Sequence, residues 1–501
     1  MTEKKDERAN AMTSKGSAQN DGRNVSLEAM ADLRVFLREA EQAGELVHVH
    51  GADPELEMGA LFELSHEHLY PPVLLFDQVK NCAPQFRVLS NVRTARFMVG
   101  ELTLDAVKAY RNRPKEKKAP IPPQEVNYGP VMENVIEGDA VDVLKFPAPR
   151  WHAKDGGRYI GTECVVICKD PDSDWVNLGT YRVMVHDKTT LGVFIEPGKD
   201  GDAIRRKYWA KGQPCPMVIS VGQAPILGVV ASVAAKNGES EYAIAGGRVG
   251  RPIRTIRGKV TGLPIPADAE LVFEGFMPAP EVDARTEGPF GEWPGYYASD
   301  ERPEPVLQVK AIYHRDDAII IGQPPTMPTY PGRQIKIPRV AALWDAIEAA
   351  GVPEIRGVWK LLGGGSRFID VIAIKQLHPG HAKMAGLVAA GCGQSYMNRL
   401  IIIVDEDIDI TNPAEVMWAV ASRWDPKSQT DLIDGCWTGY IDPRLSPDKR
   451  ANGDITTSRM IIYAVRPYHW RDGFPEVNMV DRDLAAQVRG KWQDQLPFLR
   501  K

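Results

Sequence analysis

Residues 163–185 read ECVVICKDPDSDWVNLGTYRVMV, and this stretch indicates the fold of the middle of the chain. Two apolar runs, 163–168 and 181–185, flank a polar segment with a proline, which is typical of two short strands joined by a loop. Comparable runs follow at 217–221, 226–233, 254–260, 270–276, 306–313 and 318–321, with one helix expected at 202–211. Many short strands at this spacing predict a barrel or a sandwich, and an antiparallel barrel with an inserted helix suits a flat cofactor in its mouth.

The regions on either side of these strands alternate helices with strands. Met30, Leu33, Phe36, Leu37 and Ala40 lie at helical spacing after a Ser26 N-cap, and a buried strand is expected at 73–76. After residue 320, helices at 341–350, 381–390 and 413–422 alternate with strands at 369–375 and 400–404, which predicts a largely parallel sheet. A last helix is expected at 480–492, of a kind that often docks on another subunit.

These patterns divide the chain into four regions. We expect a leader at 1–25, an N-terminal α/β domain at 26–125, a barrel domain at 126–320 and a C-terminal α/β domain at 321–501. The fold class is therefore α/β, with the barrel between two α/β domains.

The composition argues against several classes of partner. The 501 residues are 43% hydrophobic and 25% charged, and a net charge of -5 gives no argument for binding to nucleic acid or to a membrane. No apolar run approaches the roughly 20 residues that a membrane-spanning helix needs. The first 24 residues lack an apolar core, so we expect a disordered leader rather than a secretory signal.

The six cysteines are scattered along the chain. Cys164 and Cys168 are four residues apart on a predicted strand, so both side chains would point to one face. No second pair completes a zinc site, and we interpret the cysteines as thiols in a reducing compartment, which favours the cytoplasm.

A loop with two carboxylates is the first candidate for chemistry. It reads Glu287-Gly-Pro-Phe-Gly-Glu292-Trp-Pro-Gly-Tyr-Tyr297, and its glycines and prolines break helical and strand periodicity. Acids held on a stiff loop beside aromatic residues can have a raised pKa and can then donate a proton near neutral pH. On spacing alone, a solvated turn with two surface glutamates is the simpler interpretation.

A second stretch, Asn177-Leu-Gly-Thr-Tyr-Arg182, changes that balance. Arg182 lies on an apolar strand, where an unpaired charge would be costly, and Glu287 and Glu292 are its natural partners. Its guanidinium could bind a substrate carboxylate through two hydrogen bonds, or it could form a purely structural salt bridge. Asn177 and Glu241 offer an amide oxygen and a carboxylate, which suit Mg²⁺ or Mn²⁺ beside a phosphate.

These residues belong to a set of motifs that resembles the UbiD family of decarboxylases, which use prenylated FMN. The resemblance extends over most of the chain, from about residue 26 to about residue 496. The motifs are Lys154-Asp-Gly-Gly-Arg-Tyr-Ile160, Asn177-Leu-Gly-Thr-Tyr-Arg182, Val185-His-Asp-Lys188, Ser240-Glu-Tyr242, Glu287-Gly-Pro-Phe-Gly-Glu292, Gly380-His-Ala-Lys383 and Val404-Asp-Glu-Asp-Ile-Asp409. The resemblance implies an N-terminal α/β domain, a central split β-barrel like that of flavin reductases and a C-terminal α/β domain that dimerises.

The resemblance also implies roles for single residues. Arg182, Glu287 and Glu292 match the catalytic network of the family. Thr180, Tyr181 and Arg182 match contacts to the cofactor. Asn177 and Glu241 match the ligands of a divalent Mn²⁺ or Mg²⁺ that bridges to the cofactor phosphate, and potassium is a further cation that the resemblance suggests.

One position departs from the pattern of the family. Where the family usually supplies a histidine as a third metal ligand, this chain has Lys199. A lysine ammonium has no lone pair for a metal, although it can pair directly with a phosphate as a cofactor-binding group. Either Lys199 replaces part of the charge of the metal, or the loop shifts and Asp200 or Asp202 becomes a ligand.

The activity that the resemblance implies is a reversible, non-oxidative decarboxylation through a covalent adduct with prenylated FMN. The substrate would be an aromatic, heteroaromatic or α,β-unsaturated carboxylic acid. The products would be the decarboxylated compound and CO₂. Glu292 would return the proton, Arg182 would orient the substrate carboxylate, and Glu287 would hold Arg182 and tune Glu292.

The expected partners are the acid substrate, a flavin prenyltransferase that supplies the cofactor, and further copies of the chain in a homodimer or a higher homo-oligomer. Two alternatives stay open. One is a plain FMN-dependent oxidoreductase, which would need no paired acids beside Arg182. The other is a subunit of a multi-subunit carboxylase, without activity of its own.

Overall fold

The structure, a computed structural model, describes residues 25–113, 118–233, 235–236, 238–297, 300–332 and 336–499. The predicted leader at 1–25 lies outside these residues except for Val25, whose N–H donates to the carbonyl of Phe97 at 3.0 Å. Residues 114–117 also lie outside them. Within the described part of the chain, no helix has both the length and the apolarity to cross a bilayer.

The helices and strands of the described residues fall into three successive regions, which lie within 25–113, 118–332 and 336–499. The first region contains α1 (Leu27–Ala31), α2 (Leu33–Gln42), β1 (Leu46–His50), α3 (Glu57–Ser65), β2 (Val73–Asp77), β3 (Arg87–Ser90), α4 (Arg96–Val99) and α5 (Leu104–Asn112). The second contains β4 (Gln124–Glu125), β5 (Asn134–Glu137), β6 (Arg158–Gly161), β7 (Val165–Lys169), β8 (Val176–Gly179), β9 (Arg182–Val185), β10 (Thr190–Phe194), α6 (Asp200–Ala210), β11 (Cys215–Ser220), α7 (Pro225–Ala231), α8 (Glu241–Val249), β12 (Arg254–Arg257), β13 (Pro264–Pro266), β14 (Leu271–Met277), β15 (Ala284–Glu287), β16 (Arg302–His314) and β17 (Ile319–Ile321). The third contains α9 (Ile337–Ala349), β18 (Ile355–Lys360), β19 (Ile369–Ile374), α10 (His381–Gly391), β20 (Leu400–Asp405), α11 (Pro413–Arg423), β21 (Thr430–Trp437), α12 (Pro447–Ala451), β22 (Thr456–Ala464) and α13 (Arg482–Trp492).

The single helix predicted after Ser26 is two helices. Ser26 caps α1 by accepting from the N–H of Ala29, as its sequence position indicates. Asp32 is extended (φ -149, ψ 122), which interrupts the helix, and its carboxylate caps α2 by accepting from the N–H groups of Arg34 and Val35. An aspartate that can satisfy free N–H donors competes with continuous helix, and here it sets the break.

The central sheet is antiparallel and curled. Its strands follow the order β6-β9-β10-β16-β14-β11-β7-β8, and β5 and β15 pair with β16 off this path. Because β6 and β8 end the described path without pairing to each other, the sheet forms a half-barrel instead of a closed barrel. On β7, Val165 and Ile167 face one hydrophobic core while Val166 and Cys168 face another, so both faces of the sheet are covered.

Three apolar runs predicted as barrel strands lie elsewhere. The run at 254–260 begins with β12, which belongs to a separate three-stranded sheet with the order β13-β12-β4. The run at 226–233 forms helix α7, which begins with Pro225 at its first turn and packs against α8. A short run that is apolar on all sides has no period that distinguishes a strand from a buried helix. The run at 318–321 forms β17, which pairs in parallel with β3 in the first sheet, ordered β1-β2-β3-β17.

The C-terminal sheet has the order β18-β19-β20-β22-β21. Its two central ladders are parallel, whereas β18 and β21 pair antiparallel at the edges. The sheet is therefore mixed, and the prediction of a largely parallel sheet was too simple. The three predicted helices that cover it, α9, α10 and α11, and the terminal helix α13 are present.

The hydrophobic cores cross the domain bounds predicted from the sequence. One core joins α1 and α2 to α7 and α8, and a second joins β2 to the central half-barrel. The third core contains Val107 of α5 together with the C-terminal sheet and its helices. The elements of the first region therefore share hydrophobic cores with both of the other regions.

Candidate active site

Arg182 and the two loop acids form one ion-paired cluster. Arg182 lies on β9, Glu287 ends β15, and Glu292 follows in the loop between β15 and β16. Arg182 donates from Nε and Nη2 to the two carboxylate oxygens of Glu287 at 2.8 and 2.7 Å, and from Nη1 to Glu292 at 2.7 Å. The side chain of Glu287 is 0% exposed and that of Arg182 6%, against 17% for Glu292. The guanidinium therefore holds one buried carboxylate with two bonds and a less enclosed one with a single bond.

Aromatic side chains enclose this cluster. The hydroxyl of Tyr159 donates to Glu287 at 2.8 Å, and the Tyr159 ring lies 4.2 Å from that of Phe290. The guanidinium of Arg182 lies 4.2 Å from the centre of the Phe194 ring, which is directly opposite on β10. Arg302 contacts the same ring at 4.6 Å. Cation–π contacts of this kind hold the guanidinium plane in place without using its N–H donors.

The motif Lys154-Asp-Gly-Gly-Arg-Tyr-Ile160 supports the acid loop. The N–H of Gly156 donates to the carbonyl of Pro289 at 2.8 Å, and the Tyr297 hydroxyl donates to Asp155 at 3.3 Å. A Cβ at Gly156 would lie 1.8 Å from the carbonyl oxygen of Gly288, so only glycine permits this approach. The motif therefore contacts the loop at both ends of the segment that carries Glu292.

The pKa of Glu292 is raised to about 7, chiefly because burial disfavours the charged carboxylate. The guanidinium of Arg182 opposes this rise, and the carboxylates of Glu196 and Glu287 add to it. Glu292 can therefore carry a proton at neutral pH and stabilise its own anion through Arg182 once the proton has left.

Asn177 lies on β8, and the carboxylate of Glu241 contacts the next residue of that strand. Glu241 is the first residue of α8, and its carboxylate accepts from the N–H of Leu178 at 2.9 Å. Burial raises the pKa of Glu241 to about 7, and the carboxylate of Asp200 raises it further. Asn177 is 2% exposed, and its amide nitrogen makes a weak contact of 3.9 Å to the sulfur of Cys168. Two buried oxygen donors with a nearby carboxylate fit a cation and the phosphate that it would bridge.

Thr180 and Tyr181 form the turn between Asn177 and Arg182. The Tyr181 hydroxyl accepts from the N–H of Gly201 at 3.3 Å, which ties this turn to the start of α6. A Cβ at Gly179 would lie 2.5 Å from the Tyr181 ring, so the ring folds back over the end of β8. The turn therefore lies between the cluster of Arg182 and the pair of Asn177 and Glu241.

Lys199, Asp200 and Asp202 differ in their exposure and in their partners. Lys199 is the N-cap of α6, its side chain is 54% exposed, and its ammonium lies 3.5 Å from the carboxylate of Glu196. Asp202 is buried and is paired with Arg205 and Arg206, at 2.8 Å each. Asp200 is half-buried and is close enough to Glu241 to raise the pKa of that carboxyl. Of the two aspartates considered from the sequence, Asp200 is the one near the oxygen donors.

Three residues of this site were not singled out from the sequence. Tyr159 and Asp155 lie in a quoted motif, but only the passage of the acid loop over that motif gives them partners. Glu196 lies two residues after Phe194 and had no sequence signal of its own. Within the described residues, no group of three or more His, Cys, Asp or Glu side chains could hold a metal.

Comparisons with known proteins point in one direction. Models of the N-terminal, Rift-related and C-terminal domains of 3-octaprenyl-4-hydroxybenzoate carboxy-lyase match residues 37–100, 124–328 and 334–464. The pyrrole-2-carboxylic acid decarboxylase of Pseudomonas aeruginosa is 32% identical, over 92% of this chain and 98% of the relative.

Solved structures of the same class share the fold. The UbiD-class enzyme HmfF from Pelotomaculum thermopropionicum, in complex with FMN, aligns with a TM-score of 0.75 and 28% identity, over 90% of this chain and 98% of the other. An evolved dimeric form of HmfF in complex with prFMN aligns with a TM-score of 0.71 and 27% identity, with the same coverage. The family models and the full-length relative together show that the chain belongs to the UbiD family of carboxy-lyases.

Proposed function

We propose that the protein is a decarboxylase that uses prenylated FMN to remove CO₂ from an aromatic, heteroaromatic or α,β-unsaturated carboxylic acid. The observation that carries the proposal is the buried cluster in which Arg182 joins Glu287 to Glu292, with a pKa of about 7 for Glu292. The solved relative in complex with prFMN and the relative named for pyrrole-2-carboxylic acid support the cofactor and the substrate class.

The residues of the cluster have separate tasks in this proposal. Glu287 engages Arg182 with both oxygens and fixes the guanidinium plane. Together with the bond from Nη1 to Glu292, this leaves one N–H on each Nη for a substrate carboxylate. Prenylated FMN, when bound, supplies the electron sink that no amino-acid side chain provides. Glu292 donates the proton that replaces CO₂, so that R–COO⁻ and H⁺ become R–H and CO₂.

A divalent cation, Mn²⁺ or Mg²⁺, would be held by Asn177 and Glu241 beside the cofactor phosphate. The raised pKa of Glu241 supports this. Burial raises that pKa most and the Asp200 carboxylate raises it further, whereas the two backbone N–H donors that lower it carry no full positive charge, which a bound cation would supply. We propose Asp200 as a further oxygen ligand, since Asp202 is already paired with arginines. Lys199, together with Thr180 and Tyr181, would contact the cofactor, and potassium remains a candidate second cation.

We propose domains at 26–125, 126–320 and 321–501. The C-terminal domain would form a homodimer or a higher homo-oligomer. The terminal helix α13 supports it, because Leu484, Val488 and Trp492 lie at intervals of one turn and are 50%, 43% and 38% exposed. The cysteines in the described residues are free, which supports a reducing compartment such as the cytoplasm.

Co-expression with a flavin prenyltransferase tests the cofactor. The purified protein would be examined by absorbance and mass spectrometry, and then assayed with pyrrole-2-carboxylate, vanillate, 3,4-dihydroxybenzoate and cinnamate. We expect bound prenylated FMN and release of CO₂ from at least one of these acids. Bound plain FMN with turnover of NAD(P)H would favour an oxidoreductase, and absence of any flavin would favour a carboxylase subunit.

A further inference from the structure

A tight turn joins Glu292 to its neighbour Trp293. The N–H of Gly295 donates to the carbonyl of Glu292 at 2.8 Å, and the N–H of Glu292 donates to the carbonyl of Tyr296 at 3.0 Å. The first bond closes a β-turn and the second closes the loop around it, so residues 292–296 form a compact unit. Contacts that hold the side chain of Trp293 therefore also hold the backbone of Glu292.

The ring of Trp293 packs against the third region of the chain. Its centre lies 5.0 Å from that of the Phe368 ring, at an interplanar angle of 35°, and the guanidinium of Arg367 lies 4.6 Å from it. A Cβ at Gly365 would lie 2.9 Å from the ring, so the two segments are in close contact there. The indole Nε1 is buried and has no hydrogen-bond partner among the described residues, so ring packing holds Trp293 in place.

The residues beneath Trp293 are fixed to the sheet of the third region. The carbonyl of Phe368 accepts from the N–H groups of Arg399 and Leu400 at 2.7 and 2.9 Å, where β20, the middle strand of that sheet, begins. The N–H of Phe368 donates to the carbonyl of Gly364 at 2.8 Å, which closes the adjoining turn. Trp293 therefore rests on a surface that belongs to a sheet other than the half-barrel.

We propose that Trp293 is a positioning residue, through which the third region holds Glu292 beside Arg182. The inference rests on the proposed function, in which Glu292 is the acid that protonates the product. The contact of Gly156 with Pro289 holds the acid loop from the half-barrel, and the contact of Trp293 with the third region is its second attachment.

The charged groups that face Glu292 lie on several elements. Arg182 on β9, Glu287 at the end of β15 and Glu196 after β10 act on its carboxyl. From the third region, Arg367 faces the ring of Trp293. A variant that changes only an uncharged side chain at 293, 365 or 368 leaves all of these charges in place. A change in the titration of Glu292 in such a variant therefore reports its exposure to water, because burial is the main cause of its raised pKa.

The first test needs neither cofactor nor substrate. Infrared spectroscopy follows, against pH, the carboxyl band that is absent from Glu292→Gln. The midpoint should be about 7 in the wild type and lower by about one pH unit or more in Trp293→Ala and in Phe368→Ala, because a loosened turn exposes the carboxyl to water. Trp293→Phe keeps an aromatic ring against Phe368 and should keep the midpoint. The control is Trp418→Ala, which removes a different contact between a tryptophan and an arginine of the third region.

Gly365→Ala tests the same contact from the other side and retains the indole. Its Cβ would press on the ring of Trp293 and should lower the midpoint as Phe368→Ala does. Gly351→Ala is the matched control. Gly351 has a positive φ of +88°, comparable to the +61° of Gly365, but its Cβ would meet no atom within 4 Å, so this variant contains the backbone strain without the contact.

The second test uses the protein loaded with prenylated FMN. Turnover should fall by about 10²-fold in Trp293→Ala and in Phe368→Ala, the usual order for a displaced catalytic group. The double variant should fall no further than the weaker of the two single variants, since both substitutions remove one and the same contact.

Two results would overturn the proposal. One is a wild-type midpoint in both Phe368→Ala and Gly365→Ala. The other is a pair of turnover losses that multiply in the double variant, which would show that the two rings act independently. If the wild type itself decarboxylates none of the acids, the proposed function fails, and the infrared titration still decides whether Trp293 positions Glu292.

Discussion

Glu287 and Glu292 are five residues apart on one loop, yet they contact Arg182 in different ways. Glu287 accepts two bonds from Arg182 and one from Tyr159, so its oxygens have little freedom to exchange a proton. Glu292 accepts one bond and has a pKa of about 7. The difference in hydrogen bonding is the physical reason to assign the proton to Glu292.

Replacing Glu292 by glutamine keeps the size of the side chain but removes the acid. We expect Glu292→Gln to bind the flavin normally and to lose turnover by roughly 10²–10⁴-fold, the typical contribution of a general acid. Exchange of solvent deuterium into the product carbon should fall in parallel. Near-normal turnover in Glu292→Gln together with loss of turnover in Glu287→Gln would reverse the two roles.

The titration of Glu292 predicts a pH dependence. Turnover should fall as pH rises through about 7, because the protonated fraction of Glu292 falls there. Stability should respond in the same direction: between pH 4.5 and about 7 the folded state binds more protons than the unfolded state, so the free energy of unfolding decreases as pH rises. Chemical denaturation of the wild type and of Glu292→Gln across this window measures the difference, and identical slopes would contradict it.

The metal site gives a prediction at Asp200. If Asp200 is a ligand, Asp200→Ala should bind manganese more weakly, as measured by metal content after dialysis against a chelator. If Lys199 takes the place of a ligand instead, the wild type itself should lose the metal to the chelator while it keeps some flavin. Manganese that survives the chelator in both proteins would argue against both arrangements.

At the scale of elements, the acid loop depends on the motif that supports it. Gly156→Ala would place a Cβ 1.8 Å from the carbonyl oxygen of Gly288, so the loop that carries Glu292 must move. We expect a loss of turnover of about 10²-fold, the usual order for a displaced catalytic group. The neighbouring Gly157→Ala is the control, because its Cβ would meet only the flexible end of Met184 at 2.3 Å. Equal turnover in the two variants would show that the contact at Gly156 does not position the loop.

Some contacts of the site could be predicted from the sequence, and others could not. Arg182 and the two acids could be paired in advance because a charge on an apolar strand requires a partner. Tyr159 and Asp155 could not, because water can satisfy a hydroxyl or a carboxylate beside turn residues, so nothing in the sequence requires their bonds to Glu287 and Tyr297. The same holds for the fold. The strands β9 and β14 could be predicted because short apolar runs alternate there with turn residues. Helix α7 could not, because its run is apolar on every side and shows neither helical nor strand periodicity.

At the scale of the whole molecule, helix α13 makes the oligomer testable. Leu484, Val488 and Trp492 form an exposed apolar stripe along α13, and such a stripe is usually covered by a partner. We expect light scattering to report a dimer or larger oligomer at micromolar concentration, and Val488→Glu to weaken it. Gln487→Glu, the preceding exposed position on the same helix, is the control. A monomer in the wild type would contradict the prediction.

The parallel pairing of β3 with β17 has a consequence for how the chain is made. Ile319 pairs with Arg87, so the first sheet needs a strand that is synthesised more than two hundred residues later. While a ribosome is still producing the half-barrel, the edge of β3 has no partner from its own sheet and its buried side chains lack their cover. The nascent chain can complete its first sheet only after the strands of the half-barrel have been synthesised. An isolated fragment of the first 125 residues should therefore associate with itself or bind chaperones.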